Sequence, residues 1–248
     1  LLAGVDVGGL IARYGIGVDN IDLAAATAHG IVVTNVPEYC VEEVATHALA
    51  LVLALARKVV WLDRAMHSGT WDIKSGGPIA RIARQKLGVV GFGKIGRSVA
   101  AKAMAVGFKV LVYDPAALAA DVRRAGAEPV AFPTLLSDSD FITIHCPLTN
   151  ETRHLFGEQQ FHTMKPTAFI VNTARGAIID NAALAQAIRE GRVAGAALDV
   201  LEDEPPRPDN PLFNLDRVIV TPHAAFYSEE SLIELQTKAA QEVARVLS

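Results

Sequence analysis

A short apolar run that breaks into a glycine loop and then into an Ala-rich segment constrains this chain more than any other feature. Lys86–Gly91 (KLGVVG) has a strand pattern, and Lys94–Val106 follows as a helix with a small-residue face. Between them, Gly91-x-Gly93-x-x-Gly96 stands at the strand-to-helix junction. Gly91 suits a tight turn, Gly93 lets a pyrophosphate approach the backbone, and Gly96 lets helix and strand pack closely. N–H groups at the start of such a helix face the diphosphate. The next strand, Lys109–Tyr113, runs into Asp114, 23 residues beyond Gly91. A carboxylate there accepts the adenosine ribose hydroxyls and repels a 2′-phosphate, which favours NAD over NADP; the competing role is a cap on the following helix. A triphosphatase loop fits Gly91–Ser98 (GFGKIGRS) poorly, because Arg97 stands where lysine is required.

The alternation continues. Glu128–Ala131, Phe141–His145, Ala168–Asn172, Ala194–Asp199 and Val218–Thr221 read as further strands, with helices over Ala116–Ala125 and Asn181–Glu190. Continuous apolar strands separated by helices predict a doubly wound α/β fold, its parallel sheet covered on both faces. Right-handed crossovers then put every carboxyl end on one edge, where ligands collect. Ahead of this lie a strand at Leu10–Tyr14, a helix at Asp22–Ala28, a strand at Ile31–Thr34 and a long helix at Val41–Arg64. That strand–helix–strand unit has too little sheet to close a core. The turn-rich Ser68–Pro78 reads as a hinge or crossing loop.

Composition excludes several function classes. A net charge of −4 gives no basic field to hold nucleic acid or anionic lipid. The most apolar stretch, Val44–Leu62, contains His47 and the pair Arg57–Lys58, so its uncharged length falls short of a membrane span and a buried or dimer-contact helix is expected. Leu1–Gly9 carries no positive n-region or cleavage site, so no signal peptide is expected. Cys40 and Cys146 lie far apart without CxxC spacing, which suits a reducing cytoplasm. His29, His47, His67, His145, His154 and His162 show no paired metal spacing and read as structural or solvated, so no metal is expected.

Three strand ends finish in polar groups. Asn172-Thr173-Ala174-Arg175-Gly176 follows one, Asp199 through Pro205 (DVLEDEP) the next, and Thr221-Pro222-His223-Ala224-Ala225 the last. An arginine, a glutamate and a histidine meeting on one edge make a toolkit for a 2-oxo acid. Blander roles exist for each: a surface ion pair for Arg175, Glu202 or Asp203 as the functional acid, a turn residue for His223.

These stretches, with GVDNID at Gly17–Asp22 and NVP at Asn35–Pro37, resemble the D-2-hydroxyacid dehydrogenases in the family's own order over nearly the whole chain. AALDV and TPHAAFYSEES are closest in flavour to the C-terminal-binding-protein branch, although Phe226 stands where that branch carries tryptophan. The resemblance implies an NAD-dependent oxidoreductase interconverting a small 2-keto acid and its D-2-hydroxy acid. His223 would be the acid–base group, Glu204 its hydrogen-bonding partner that favours the imidazolium, and Arg175 the grip on the substrate carboxylate. Lys94 and Ile95 would lie at the pyrophosphate with Gly91, Gly93 and Gly96, and Cys146-Pro147 beside the adenosine held by Asp114. Thr173-Ala174 would line the nicotinamide ribose. Asp199 would accept the carboxamide, with His223 and Ala225 also against the cofactor and Val44 nearby. Ile16 and Gly17 would offer backbone N–H groups to the substrate carboxylate.

The resemblance also implies a domain plan: residues 1–80 as part of a flavodoxin-like substrate domain with a dimerisation helix, 81–226 as the NAD-binding Rossmann domain, and 227–248 as a helix returning to the first. The first half of the substrate domain is expected to lie outside this sequence, with LLAGVDVGG a remnant of its preceding helix and turn, and weak catalysis follows from that. A homodimer is expected. An NAD-sensing corepressor-like module is the alternative from another class. Phosphite oxidation fits the same toolkit, whereas Glu204 argues against formate, for which the family carries glutamine.

Overall fold

The computed structural model describes residues 9–248; the proposed remnant at the start of the chain falls almost wholly outside them. The described residues form two compact units, one made of the segment up to Glu43 with Phe226–Ser248, the other of Val44–Ala225.

In the smaller unit β1 (Leu10–Ala12) and β2 (Val32–Thr34) pair in parallel, joined through α1 (Leu23–Ala28). The Asp22 carboxylate caps α1 by accepting from Ala25 N at 2.9 Å. The last helix, α9 (Glu229–Leu247), packs against β1, and Ser228 caps it by accepting from Ser231 N at 2.9 Å. Tyr39 meets Phe226 edge-on, with ring centroids 6.3 Å apart.

The larger unit begins within α2 (Val41–Arg57), which is followed by α3 (Val59–His67). The single helix expected over Val41–Arg64 is therefore two. Lys58 between them has a left-handed backbone (φ 59°), and the two axes bend by 61°. The coil after α3 leads to β3 (Lys86–Val90), α4 (Lys94–Ala105), β4 (Lys109–Tyr113), α5 (Ala119–Arg124) and β5 (Glu128–Pro129). Then come α6 (Phe132–Asp138), β6 (Phe141–Ile144), α7 (Glu158–Thr163), β7 (Phe169–Asn172), α8 (Asn181–Arg189), β8 (Gly195–Leu198) and β9 (Val218–Val220). All seven strands of this sheet are parallel, in the order β5-β4-β3-β6-β7-β8-β9. This is a doubly wound Rossmann-type sheet.

Period-2 alternation splits the strands between two cores. Leu87, Val89, Val110, Val112 and Phe141 pack with α4 and with Ala45, Ala48, Leu51, Val52 and Leu55 of α2. Val90, Ile142, Ile144, Ile170 and Leu198 pack with α6, α7 and α8. Much of the apolar face of α2 lies in the first of these cores, and the two compact units divide at Glu43/Val44. Among the described residues no single helix is long and apolar enough to cross a membrane; only the bent α2–α3 pair has the length.

Two stretches differ from their sequence pattern. The helix expected over Ala116–Ala125 starts at Ala119, because Asp114 Oδ1 takes the Ala116 N–H at 2.8 Å and Leu118 stays extended. The short helices α6 and α7 were not anticipated, since neither shows more than about two turns of pattern.

Candidate active site

The strand order reverses at β3, whose neighbours are β4 on one side and β6 on the other. The carboxyl ends of β3 and β6 open the crevice there. Gly91 (φ 92°) makes the turn, and a Cβ on it would sit 2.6 Å from Cys146 N, so the switch point itself demands glycine. A Cβ on Gly96 would lie 2.1 Å from Gly91 O, which brings α4 tight against the turn. Around Gly93 a Cβ would meet nothing within 4 Å. Gly93 also brings no side chain to cap α4, and exposed Lys94 and half-buried Ile95 open the first turn.

Asp114 faces this turn. Its Oδ2 accepts from Phe92 N at 2.6 Å, tying the glycine loop to the end of β4. Asp114 also lines a cavity of about 260 Å³ with Val112, Val122, Arg123 and Val130. Across the crevice, burial pushes the Cys146 thiol up to about 11, and the Asp114 charge adds to the rise. Pro147 is exposed, and its carbonyl accepts from Thr152 Oγ1 at 2.7 Å. His145 bonds Thr143 Oγ1 at 2.9 Å, and burial lowers its imidazole to about 3.

Beyond β7 the buried Asn172 folds the next loop from within, donating to Arg175 O at 2.9 Å and accepting from Ala174 N at 3.0 Å. Thr173 Oγ1 is buried without a partner. Arg175 is half-buried and extended, with Nη1 donating to Ala174 O at 2.7 Å. A Cβ on the following Gly176 would lie 1.9 Å from Leu201 C and O, so this loop rides directly on the one after β8. There Glu204 Oε1 accepts from Leu201 N at 3.1 Å, and Oε2 pairs with His223 Nδ1 at 2.7 Å. An ionised carboxylate only accepts, so Nδ1 carries a proton. Glu202 is engaged elsewhere, with His154 and with Asn181 N, and Asp203 is exposed. Of the three acids, Glu204 is the one paired with His223.

His223 has φ 53°, a left-handed backbone uncommon outside glycine. Asp199, 2% exposed, holds that turn. Its carboxylate accepts from Thr221 Oγ1 and, at 2.9 Å each, from Ala224 N and Ala225 N. The Asp199 carbonyl accepts from His223 N at 2.7 Å. Asp199 is therefore the floor under His223, whatever else it contacts. Ile16 and Gly17 belong to the smaller unit, where Ile16 O accepts from Asn35 Nδ2 at 2.7 Å and Gly17 O from Arg13 Nε at 3.1 Å.

Residues 49–225 match the family described as D-isomer specific 2-hydroxyacid dehydrogenase, NAD binding domain. The chain belongs to that family. It is 45% identical to a D-3-phosphoglycerate dehydrogenase of Archaeoglobus fulgidus over 94% of its own length and 44% of the relative's. A glyoxylate reductase of Korarchaeum cryptofilum is 43% identical over 90% of this chain and 68% of the relative. The D-lactate dehydrogenase of Aquifex aeolicus, solved with NAD and lactic acid, superposes with a TM-score of 0.90 at 33% identity, covering 96% of this chain and 76% of that one. The chain thus spans less than half of one relative and about two thirds to three quarters of the others.

The family's cofactor is NAD, and the residues present fit it. The space around Gly93, the uncapped start of α4, the cavity beside Asp114 and the unpartnered Thr173 hydroxyl are features that a bound dinucleotide would use. The sequence pointed to the strand ends but not to what supports them. Asn172 and Thr221 stand inside recognised motifs in which the sequence assigns them no role, and His47 reads there as structural or solvated. Nothing local reveals His47, because its partner Thr221 is 174 residues away.

Proposed function

We propose that the protein interconverts a small 2-keto acid and its D-2-hydroxy acid with NAD, as a homodimer in the cytoplasm. The observation that carries this reading is the His223–Glu204 pair set against the loop of Arg175 on the carboxyl edge of the sheet. Glu204 holds the Nδ1 proton, so Nε2 is the ring atom that gives a proton to the carbonyl oxygen in reduction and takes it from the hydroxyl in oxidation. Arg175 grips the carboxylate beside that carbonyl, and its planar fork suits an α-keto acid. Asp199 and Thr221 fix where the imidazole stands. The bound dinucleotide supplies or accepts the hydride. The Ile16 and Gly17 amides are proposed to meet the substrate carboxylate, and Asp199 the carboxamide.

The relatives' names support the substrate class, since they act on lactate, glyoxylate and phosphoglycerate. Cys40 and Cys146 are present as thiols, which is compatible with a reducing compartment. The test is steady-state reduction of a panel of 2-keto acids with NADH and NADPH by wild type and His223→Ala. Turnover with NADH that disappears in the variant, while NADH titration by fluorescence is unchanged, is the expected result. Equal turnover in both proteins would sink the acid–base role. Saturable NADH binding with no turnover on any keto acid would favour a sensing module instead.

A further inference from the structure

The support beneath His223 does not end at Asp199. His47, on the stretch of α2 within the larger unit, places Nε2 3.1 Å from Thr221 Oγ1 and 3.6 Å from Asp199 Oδ1. Thr221 spends its single hydroxyl proton on Asp199, whose ionised carboxylate can only accept. Thr221 Oγ1 must therefore accept from His47, and Nε2 carries a proton. The order of donation runs His47 to Thr221 to Asp199, and Asp199 accepts the amides of Ala224 and Ala225 on the far side of the left-handed residue. The Asp199 side chain is 1% exposed and that of His47 26%. The Asp199 end of this chain of bonds is thus shielded from water and strengthened accordingly.

We infer that His47 is a positioning residue for the acid–base histidine. Through Thr221 and Asp199 it fixes the turn at residues 221–225 in the left-handed conformation that aims His223. The argument rests on the acid–base reading of His223 for its catalytic consequence, but its structural half stands apart from it. A loosened turn misplaces the imidazole by a fraction of an ångström, and errors of that size cost turnover far more than dinucleotide affinity.

The experiment compares wild type with His47→Phe, His47→Gln, Thr221→Val and the combined His47→Phe/Thr221→Val variant in the full chain, each first shown to melt cooperatively. Glutamine can place its Nε2 donor close to where the imidazole Nε2 stands, and phenylalanine cannot. The expected result in His47→Phe is a roughly ten- to hundredfold fall in kcat with little change in KM for NADH. His47→Gln should recover most of the loss, and Thr221→Val should add little to His47→Phe. Amide exchange supplies a readout independent of turnover: Ala224 and Ala225 should exchange at least about tenfold faster in His47→Phe, while core amides of β6 and β7 keep their protection. Equal kcat in wild type and His47→Phe, or the same loss in the glutamine and phenylalanine variants, overturns the inference. Unchanged exchange at Ala224 and Ala225 overturns it too. If wild type shows no turnover on any keto acid, the proposed function fails and the exchange data alone decide the positioning role.

Discussion

His223 and His145 show two ways in which this fold constrains an imidazole. The first sits on a left-handed backbone that asparagine adopts more readily. Its bond to Glu204 is between groups with side chains 43% and 38% exposed, where ion pairs contribute little. His223→Asn should therefore abolish keto-acid reduction while unfolding no more easily than wild type, and by up to about 1 kcal/mol less easily; chemical denaturation beside the turnover assay checks both. His145 has the opposite character. Its folded pKa of about 3 lies below the ordinary 6.5, so between those values the unfolded chain binds a proton that the folded one refuses. Stability then falls as pH drops through 6.5 toward 3, by roughly 1–2 kcal/mol between pH 7 and 5. Urea titrations at the two pH values should show that slope in wild type and a shallower one in His145→Gln. The residue identities in this site were legible in the sequence because each follows an apolar strand. The Glu204–His223 bond was reachable only through the family resemblance, and the bond that enlists His47 not at all, because both join residues brought together only by the tertiary fold.

At the scale of elements, α2 shows what pattern reading can and cannot resolve. Its apolar face was plain, yet the same face suits a partner chain or the chain's own sheet, and periodicity does not distinguish them. The structure gives Leu55, fully buried among Leu87, Val89 and Val99, to the protein's own core. Leu55→Ala should accordingly cost about 2–5 kcal/mol, and the loss should be the same at low and high protein concentration. A loss that grows with dilution would assign the face to a dimer contact. Most strands of the sheet were legible because buried parallel strands are continuous apolar runs, β-branched in β4, β6, β7 and β9 and Ala-rich in β8. The break at Lys58 was not. Lys58 is 7% exposed, its Nζ lies 3.8 Å over the Phe169 ring, and burial with the Arg217 charge lowers it to about 8. A lysine at the end of an apolar helix ordinarily reads as a solvated tip, and only the aromatic face it covers explains its burial.

For the molecule as a whole, the dinucleotide should act as a stabiliser in proportion to its affinity. NADH at a hundred times its Kd should raise unfolding free energy by about 2.7 kcal/mol, visible as a higher melting temperature. NADPH at the same concentration should give less than half that shift, because Asp114 meets the 2′-phosphate; equal shifts would remove Asp114 as the discriminator. The parallel plan also has a kinetic side. Gly91 follows β3, Asp114 β4, Cys146 β6, Arg175 β7, Glu204 β8 and His223 β9, so every strand of the sheet except β5 delivers one component to the same edge. Every crossover must close before those components face one another, and parallel pairing is slow for that reason. A chain caught partway through folding therefore carries all the reactive groups and none of the chemistry. On refolding, any turnover should therefore appear only after the first strand pairs have formed.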